Sequence, residues 1–403
     1  MLSNDGILMT DSWENKVVEN VLKVKGRIGW KGYKTSDLRE SGPIVLSGTE
    51  IKSKYHIDLE GVKHLTQEKY DESPEIMLKD KDILVATRGS LGEIAIYRKE
   101  YGPATINPSL VILSEFTGVP EFLYYYLVSQ PGQENLLSMA SGSSVPAIYQ
   151  ADIRKLEIPF PKLSEQKAIA DILSSLDDKI HLLHQNSKTL ELMAEALFRQ
   201  WFIVESKEEW TSCKLSSAIK IVGGGTPKTS LSEYWDGCIP WLSGGGISDN
   251  HKGFVFTTQK TISQLGLDNS SARLLPEFAT VISARGTVGK YCLLGSPMTF
   301  SQSNYGILPV LDETYFFTYL LLAHSVEELL SSAYGSVFDT ITTATFDGVN
   351  INLPSLNEIK EFDESVKPLF HKLRNNAIQI QTLSKTRDSI MPKLMSGQVK
   401  VTQ

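Results

Sequence analysis

The sequence predicts an α+β chain in which one unit, a mixed globular domain followed by a long helix, occurs twice. Three observations carry this reading. The two halves of the 403 residues match at an offset of about 195 positions. Each half closes on a stretch with apolar residues at four-three spacing, the pattern of a coiled-coil seam. Each half opens on short β-type runs punctuated by Gly, Pro, Asn and Ser, as in a mixed domain.

Taken in order, Trp13 and Trp210 each open an apolar-spaced segment, with Val21 and Val24 answered by Ala218 and Ile221. Residues 44–46 form the first continuous β-run. Residues 82–87 then enter the turn Arg88-Gly89-Ser90-Leu91-Gly92, and residues 281–284 enter Arg285-Gly286-Thr287-Val288-Gly289 in the same way. Further β-runs at 109–113 and 305–310 precede short aromatic helices at 121–128 and 315–323. The polar loop Ser141-Gly142-Ser143-Ser144-Val145 is answered by Tyr334-Gly335-Ser336-Val337-Phe338.

The helical segments follow. In the first, Ile169, Leu173, Leu176, Ile180, Leu183, Leu190 and Leu197 keep the seam, with Ser187 and Ala194 in its remaining places. Uninterrupted over 163–201, it is about 58 Å long at 1.5 Å per residue. The second has Phe362, Val366, Leu369, Leu373, Ile380, Leu383 and Ile390, with Asn376 and Arg387 at seam places. Pro368 predicts a break near the start of this helix and Pro392 its end or a kink. Shared register lets the two pack as an antiparallel coiled coil, a rod-like spacer, with core helices of a bundle as the alternative. The expected segments are 1–160 and 206–353, globular, and 161–205 and 354–403, helical.

Composition narrows the function. With 41% hydrophobic and 22% charged residues the chain must bury a core, which excludes disorder. The longest apolar stretches fall short of the roughly 20 residues that span a bilayer. Residues 1–11 lack the basic and apolar regions of an export signal, so the expected location is the cytoplasm. Cys213, Cys238 and Cys292 are too widely spaced for a disulfide framework or a CxxC metal pair. A net charge of -7 argues against coating nucleic acid by bulk electrostatics, although residues 353–403 are net basic.

Catalytic motifs are weak. Gly223-Gly224-Gly225-Thr226-Pro227-Lys228-Thr229 has the wrong glycine spacing for a phosphate-binding loop and reads as a turn. Asn107-Pro108-Ser109 is the nearest approach to an amino-methyltransferase motif and lacks its second proline and aromatic. Asp37, Glu50 and Lys52 trace a loose metal-nuclease pattern that the second half does not repeat. His181 and His184, at i, i+3, have no third metal ligand in view and read as solvated helix-face histidines.

The stronger signal is basic and aromatic. Lys23, Lys25, Arg27, Lys31 and Lys34 interleave with Trp30, Tyr33 and three glycines, which suits phosphate contact and stacking. A solvated surface stretch is the other reading. Lys220, Lys228 and Lys252, near Tyr234, Trp235 and Trp241, are the sparser second set, and Lys290 follows the second Arg-Gly turn. Arg88 and Arg285 reach either a phosphate or guanine edge, or a structural salt bridge. Ser143, Ser144 and Ser336 in the polar loops offer hydroxyls to a duplex, or simply close turns.

The sequence resembles the specificity subunits of type I restriction-modification systems. The resemblance is carried by Ile158-Pro159-Phe160-Pro161-Lys162-Leu163-Ser164-Glu165-Gln166, by Asp171-Ile172-Leu173-Ser174-Ser175-Leu176-Asp177-Asp178-Lys179-Ile180, and by Ala196-Leu197-Phe198-Arg199-Gln200-Trp201-Phe202. The second half adds Leu383-Ser384-Lys385-Thr386-Arg387-Asp388-Ser389-Ile390-Met391-Pro392-Lys393-Leu394-Met395-Ser396-Gly397, and the duplicated plan covers the whole chain. Ile359 and Asn352 depart from Gln166 and Pro159 of the first half.

The resemblance implies two target recognition domains related by a pseudo-two-fold, each reading half of a gapped double-stranded DNA site. It further implies that the helices separate them and dock two methyltransferase subunits, through Gln166, Ile169, Leu173, Leu176, Leu369, Leu373 and Leu383. Catalysis, with S-adenosylmethionine, ATP and Mg, is expected in methyltransferase and motor-nuclease partners and not in this chain. Half-site centres roughly one helical turn apart are expected by analogy with dimeric readers. The alternatives are a coiled-coil scaffold with no DNA role and a metal-dependent DNA-processing enzyme using Asp37, Glu50 and Lys52.

Overall fold

The computed structural model describes residues 13–27, 32–51, 55–142, 146–333 and 340–401. The chain divides into two compact units, Met1–Leu182 with Gln381–Gln403, and Leu183–Ile380. In the first, a four-stranded antiparallel sheet runs in the order Lys23–Lys25, Leu110–Ser114, Ile83–Ala86, Ile94–Ile96. All four residues of Ile83–Ala86 are buried, because both faces of this sheet are covered. Ile83, Val85, Ile94, Ile96, Val111 and Leu113 join the cluster of the aromatic helix Pro120–Val128. Leu84, Ala86, Ala95 and Ile112 face the other way, onto Leu46, Ala104 and Ile106. Those belong to a three-stranded sheet ordered Lys63–Leu65, Leu38–Leu46, Ala104–Ile106. Glu14–Val17 pairs with Glu157–Phe160 just before the first long helix begins.

The second unit repeats this plan. Its main sheet runs Ile219–Gly223, Asn304–Pro309, Thr280–Ser283, Tyr291–Leu294, with Phe254–Val255 as an additional edge strand. Its three-stranded sheet is Lys260–Ile262, Trp235–Leu242, Thr299–Phe300, and Thr211–Lys214 pairs with Asn350–Leu353. The aromatic helix, Tyr315–Ala333, extends beyond the expected 315–323.

The long helices are Leu163–Arg199, ending in one π turn at Gln200–Val204, and Leu356–Met395. The break expected at Pro368 is absent, and of the end or kink expected at Pro392 the end is absent, since the helix runs through each. Pro368 and Pro392 are exposed, as are Glu364 and Asp388, whose carbonyls each proline leaves without an N–H donor. Water can serve a carbonyl on that side, so the helix tolerates the loss. Among the described residues no helix is long and apolar enough to cross a membrane.

Each unit takes a half of both long helices, where the sequence was divided into four successive segments. The reason is that the helix contacts run in opposite directions. In the first unit Ile169, Ala170 and Leu173 share a core with Leu394 and Met395, and Arg387 Nη1 lies 2.5 Å from Asp177 Oδ1. In the second, Phe198 meets Phe362 edge-on at 5.8 Å, while Asn376 Nδ2 donates to Asn186 Oδ1 at 2.8 Å and Ser187 Oγ at 3.1 Å. The seam's polar residues Ser187, Asn376 and Arg387 thus have partners on the facing helix.

Four residues expected to dock partner subunits are covered by the chain itself. Gln166, Ile169 and Leu173 are 0% exposed and Leu373 is 6%. Gln166 Oε1 accepts the N–H of Val119 at 2.9 Å, and its Nε2 donates to the carbonyl of Pro161 at 2.9 Å, holding the entry to the aromatic helix. Leu176, Leu369 and Leu383 are half-buried on the same seam.

The second unit meets the need filled by Gln166 differently. Asp363 Oδ1 accepts the N–H groups of Phe316 at 2.9 Å and Phe317 at 2.8 Å, at the start of its aromatic helix. Burial nevertheless pushes this carboxyl up to about 6, with those N–H groups pulling the other way. A carboxyl whose folded value lies above its unfolded one takes up a proton on folding. Stability is therefore lost as pH rises from about 4 to about 6. Asp363→Asn keeps an acceptor oxygen and removes the charge. Its advantage over wild type is expected to grow across that window and level off at roughly 1–3 kcal/mol near pH 7. Denaturant unfolding of both chains at several pH values checks this; a pH-independent difference would refute it.

Candidate nucleic-acid interface

The two Arg-Gly turns stand on matching backbone frames. In the first unit the N–H of Ala86 bonds the carbonyl of Glu93, that of Gly92 bonds Ala86, and that of Glu93 bonds Ser90. In the second, Ser283 bonds Lys290, Gly289 bonds Ser283, and Lys290 bonds Thr287. The adjoining strand ends are tied alike, Thr87 N–H to Ser109 and Ala284 N–H to Ser303. A third segment docks on each, Ile148 N–H to Thr87 and Ile341 N–H to Ala284. Positive φ at Gly89 (76°) and Gly92 (84°), and at Gly286 (80°) and Gly289 (81°), explains the glycines, since side chains rarely adopt this backbone.

Around this shared frame the side chains differ. Beside the first turn lies the segment 47–50, where Ser47 Oγ and Thr49 Oγ1 donate to the Glu50 carboxylate and a Cβ on Gly48 would sit 3.4 Å from Ser90. Those hydroxyls hold the Glu50 pKa low against its burial, and the carboxylate serves this turn. Asp37 accepts the N–H of Lys34, closing a 3-10 turn. Beside the second turn lie Gly244, Gly245 and Gly246, with Ser243 Oγ accepting the N–H of Gly246 at 3.2 Å. Thr287 Oγ1 donates to the carbonyl of Gly244 at 3.3 Å, and Asn304 Nδ2 donates to Ser301 Oγ at 2.8 Å. Sequence reasoning passed over these flanking turns because only the fold brings them beside the arginines.

Arg88 and Arg285 are exposed, and neither side chain makes an ion pair or hydrogen bond to a described residue. The structural salt bridge is therefore not what either forms within the described residues. The basic segment is less uniform than its sequence. Lys23 and Lys25 share Glu115, the latter at 3.3 Å, so their charge is partly neutralised. Arg27 turns inward: its Nε donates to the carbonyl of Ile106 at 3.2 Å and burial lowers its pKa, which removes it from the surface set. Lys34 and Lys228 are exposed, and Lys290 is half-buried. Lys31, Trp30, Ser143, Ser144, Ser336 and Lys52 lie outside the described residues.

Of the second aromatic set, Trp241 is buried with its Nε1 donating to the carbonyl of Gly225 at 2.9 Å, and Lys252 pairs with Glu195 at 3.6 Å. The glycine run before Lys228 is a structural turn: a Cβ on Gly224 would come within 2.1 Å of the Ser301 carbonyl oxygen. His181 stacks on His56 at 3.9 Å, and His56 Nε2 lies 2.9 Å from Asp178 Oδ1. Burial, followed by Arg98 and His181, lowers the pKa of His56. His181 is thus packed where the sequence suggested a solvated face.

Comparison with known proteins places this architecture. A type I restriction modification DNA specificity domain matches residues 10–192 and again residues 207–383. The MjaIX specificity subunit of Methanocaldococcus jannaschii is 26% identical over 365 residues, covering 85% of this chain and 83% of that one. The HindI specificity subunit of Haemophilus influenzae is 23% identical over 436 residues, covering 88% and 93%. The crystal structure of a type I restriction-modification system S subunit from M. genitalium superposes with a TM-score of 0.65 at 18% identity, covering 96% of this chain and 97% of that one. With two such domains spanning most of its length, each built on the same Arg-Gly frame, the chain belongs to the type I restriction-modification DNA specificity family.

Proposed function

We propose that the chain is the DNA sequence-recognition subunit of a type I restriction-modification complex, acting in the cytoplasm. Each globular domain reads one half of a bipartite gapped site. The observation that carries this is the pair of matching backbone frames surrounded by unlike polar turns. A common frame sets a common approach to the duplex, and unlike flanks distinguish unlike half-sites. The long helices form an antiparallel coiled coil that spaces the domains about a pseudo-two-fold.

In this reading methyl transfer and DNA cleavage belong to partner methyltransferase and motor-nuclease subunits, which bring S-adenosylmethionine, ATP and Mg. This chain's part is to bind and orient DNA. Its own core covers the apolar seam, so partner helices meet exposed side chains of the long helices: Leu182 at 58% exposure, Leu192 at 57% and Met193 at 48% support that assignment. With a net charge of -7, the chain leaves much of the electrostatic clamp on DNA to its partners.

Long-read methylation mapping of DNA from cells expressing the chain with its cognate methyltransferase, against cells lacking the chain, tests the proposal. The expected result is a new motif of two unlike blocks at a constant gap. No motif despite a stable complex with the methyltransferase would overturn it, and no complex at all would favour a scaffold.

A further inference from the structure

Arg88 and Arg285 stand on frames that match in the strand-end bonds given above, and both side chains are exposed and free of described partners. The residue after each is an exposed glycine at positive φ, where a Cβ would have no atom within 4 Å. The N–H groups of Gly89 and Gly286 donate to no described residue. Each turn therefore offers a guanidinium and an adjacent open main-chain donor, a combination that suits a phosphate oxygen. A guanine edge needs the guanidinium alone, and in the groove.

The surroundings sharpen the distinction. A group presented identically by two domains offers each half-site the same donors, and so does little to tell the halves apart. The side chains around the arginines do differ. Ser47, Thr49 and Glu50 flank Arg88, whereas the glycines 244–246 and Ser303, the half-buried member of a hydroxyl and amide group whose Ser301 and Asn304 are buried, flank Arg285.

Resting on the proposed function, we infer that Arg88 and Arg285 are the sequence-independent phosphate anchors of the two domains, and that discrimination resides in the turns flanking them. The anchors fix register and orientation. The flanking turns then meet the bases at a set depth.

The test uses the full chain assembled with its methyltransferase. Arg88→Ala and Arg285→Ala are each expected to weaken binding to a duplex carrying the wild-type motif about tenfold. Each should reduce the slope of log affinity against log salt by about 1 and leave the methylated motif unchanged. Arg→Lys at either position should restore most of the affinity, because a phosphate accepts a point charge where a bidentate guanine contact does not. Size-exclusion chromatography establishes that the variants assemble. Relaxation of the motif at one position, not rescued by lysine, would overturn the inference in favour of base reading. Unchanged affinity and salt slope would overturn it as well. If the wild-type complex itself yields no bipartite motif, the proposed function has failed, which is a separate result.

Discussion

Arg387→Ala is expected to destabilise the first unit by roughly 3–5 kcal/mol, the largest single-residue effect that the structure supports. Asp177 is 7% exposed and has two close partners, Arg387 Nη1 at 2.5 Å and the Tyr125 hydroxyl, which donates at 2.7 Å. Burial works against the guanidinium, but Asp177 and then Asp388 raise its pKa and keep it charged. Burial, and next the charge of Asp177, push the Tyr125 phenol up, so it stays a donor. Removing the arginine strands a buried carboxylate on a single hydroxyl.

The second copy of the repeat shows a way to do without the charges. By the helix register, Ala194 stands for Arg387 and Phe370 for Asp177, and Phe370 stacks on Phe316 at 4.5 Å. The combined Arg387→Ala, Asp177→Phe, Tyr125→Phe variant is accordingly expected to recover most of the loss, since apolar replacement of a buried pair is often close to neutral. Urea unfolding of the three chains decides it. A loss under about 1 kcal/mol for Arg387→Ala would mean that the pair is hydrated in solution.

The duplication, both Arg-Gly turns and both long helices were legible because each leaves a periodic or repeated trace in the residues. The strand expected at 82–87 is Ile83–Ala86, and the one expected at 305–310 is Asn304–Pro309. What periodicity does not record is which surface covers an apolar stripe. Ile169 and Leu173 read equally well as a seam for a partner or for the chain itself, and their burial beside Leu394 decides for the chain. Charge patterns have the same blind spot. Arg27 and Lys34 look alike in sequence, yet one bonds a carbonyl inside the domain and the other faces solvent. Pro368 misled because a proline's cost depends on which side of the helix its missing donor falls.

A matched deletion in both long helices is expected to shift the gap of the recognised site. Residues 183–189 and 374–380 are opposed in the register that joins Ser187 to Asn376. Excising both stretches removes Asn186, Ser187 and Asn376 together, so none of these three seam groups is left without its partner. It also removes the Arg374 to Glu277 pair, whose side chains are 29% and 34% exposed and contribute little. A heptad is close to two full turns, so the seam keeps its phase to within about 20° while the helices shorten by about 10 Å. At about 3.4 Å per base pair this sets a ceiling of about three pairs on the change in gap. Each pair removed also rotates one half-site by roughly 35° about the duplex axis, and the domains do not rotate to match. The gap should therefore shorten by less than the ceiling, with both half-sites unchanged. Methylation mapping reads half-sites and gap in one experiment. An unchanged gap in an assembled, active complex would mean that the helices hold the domains together without measuring the distance between them.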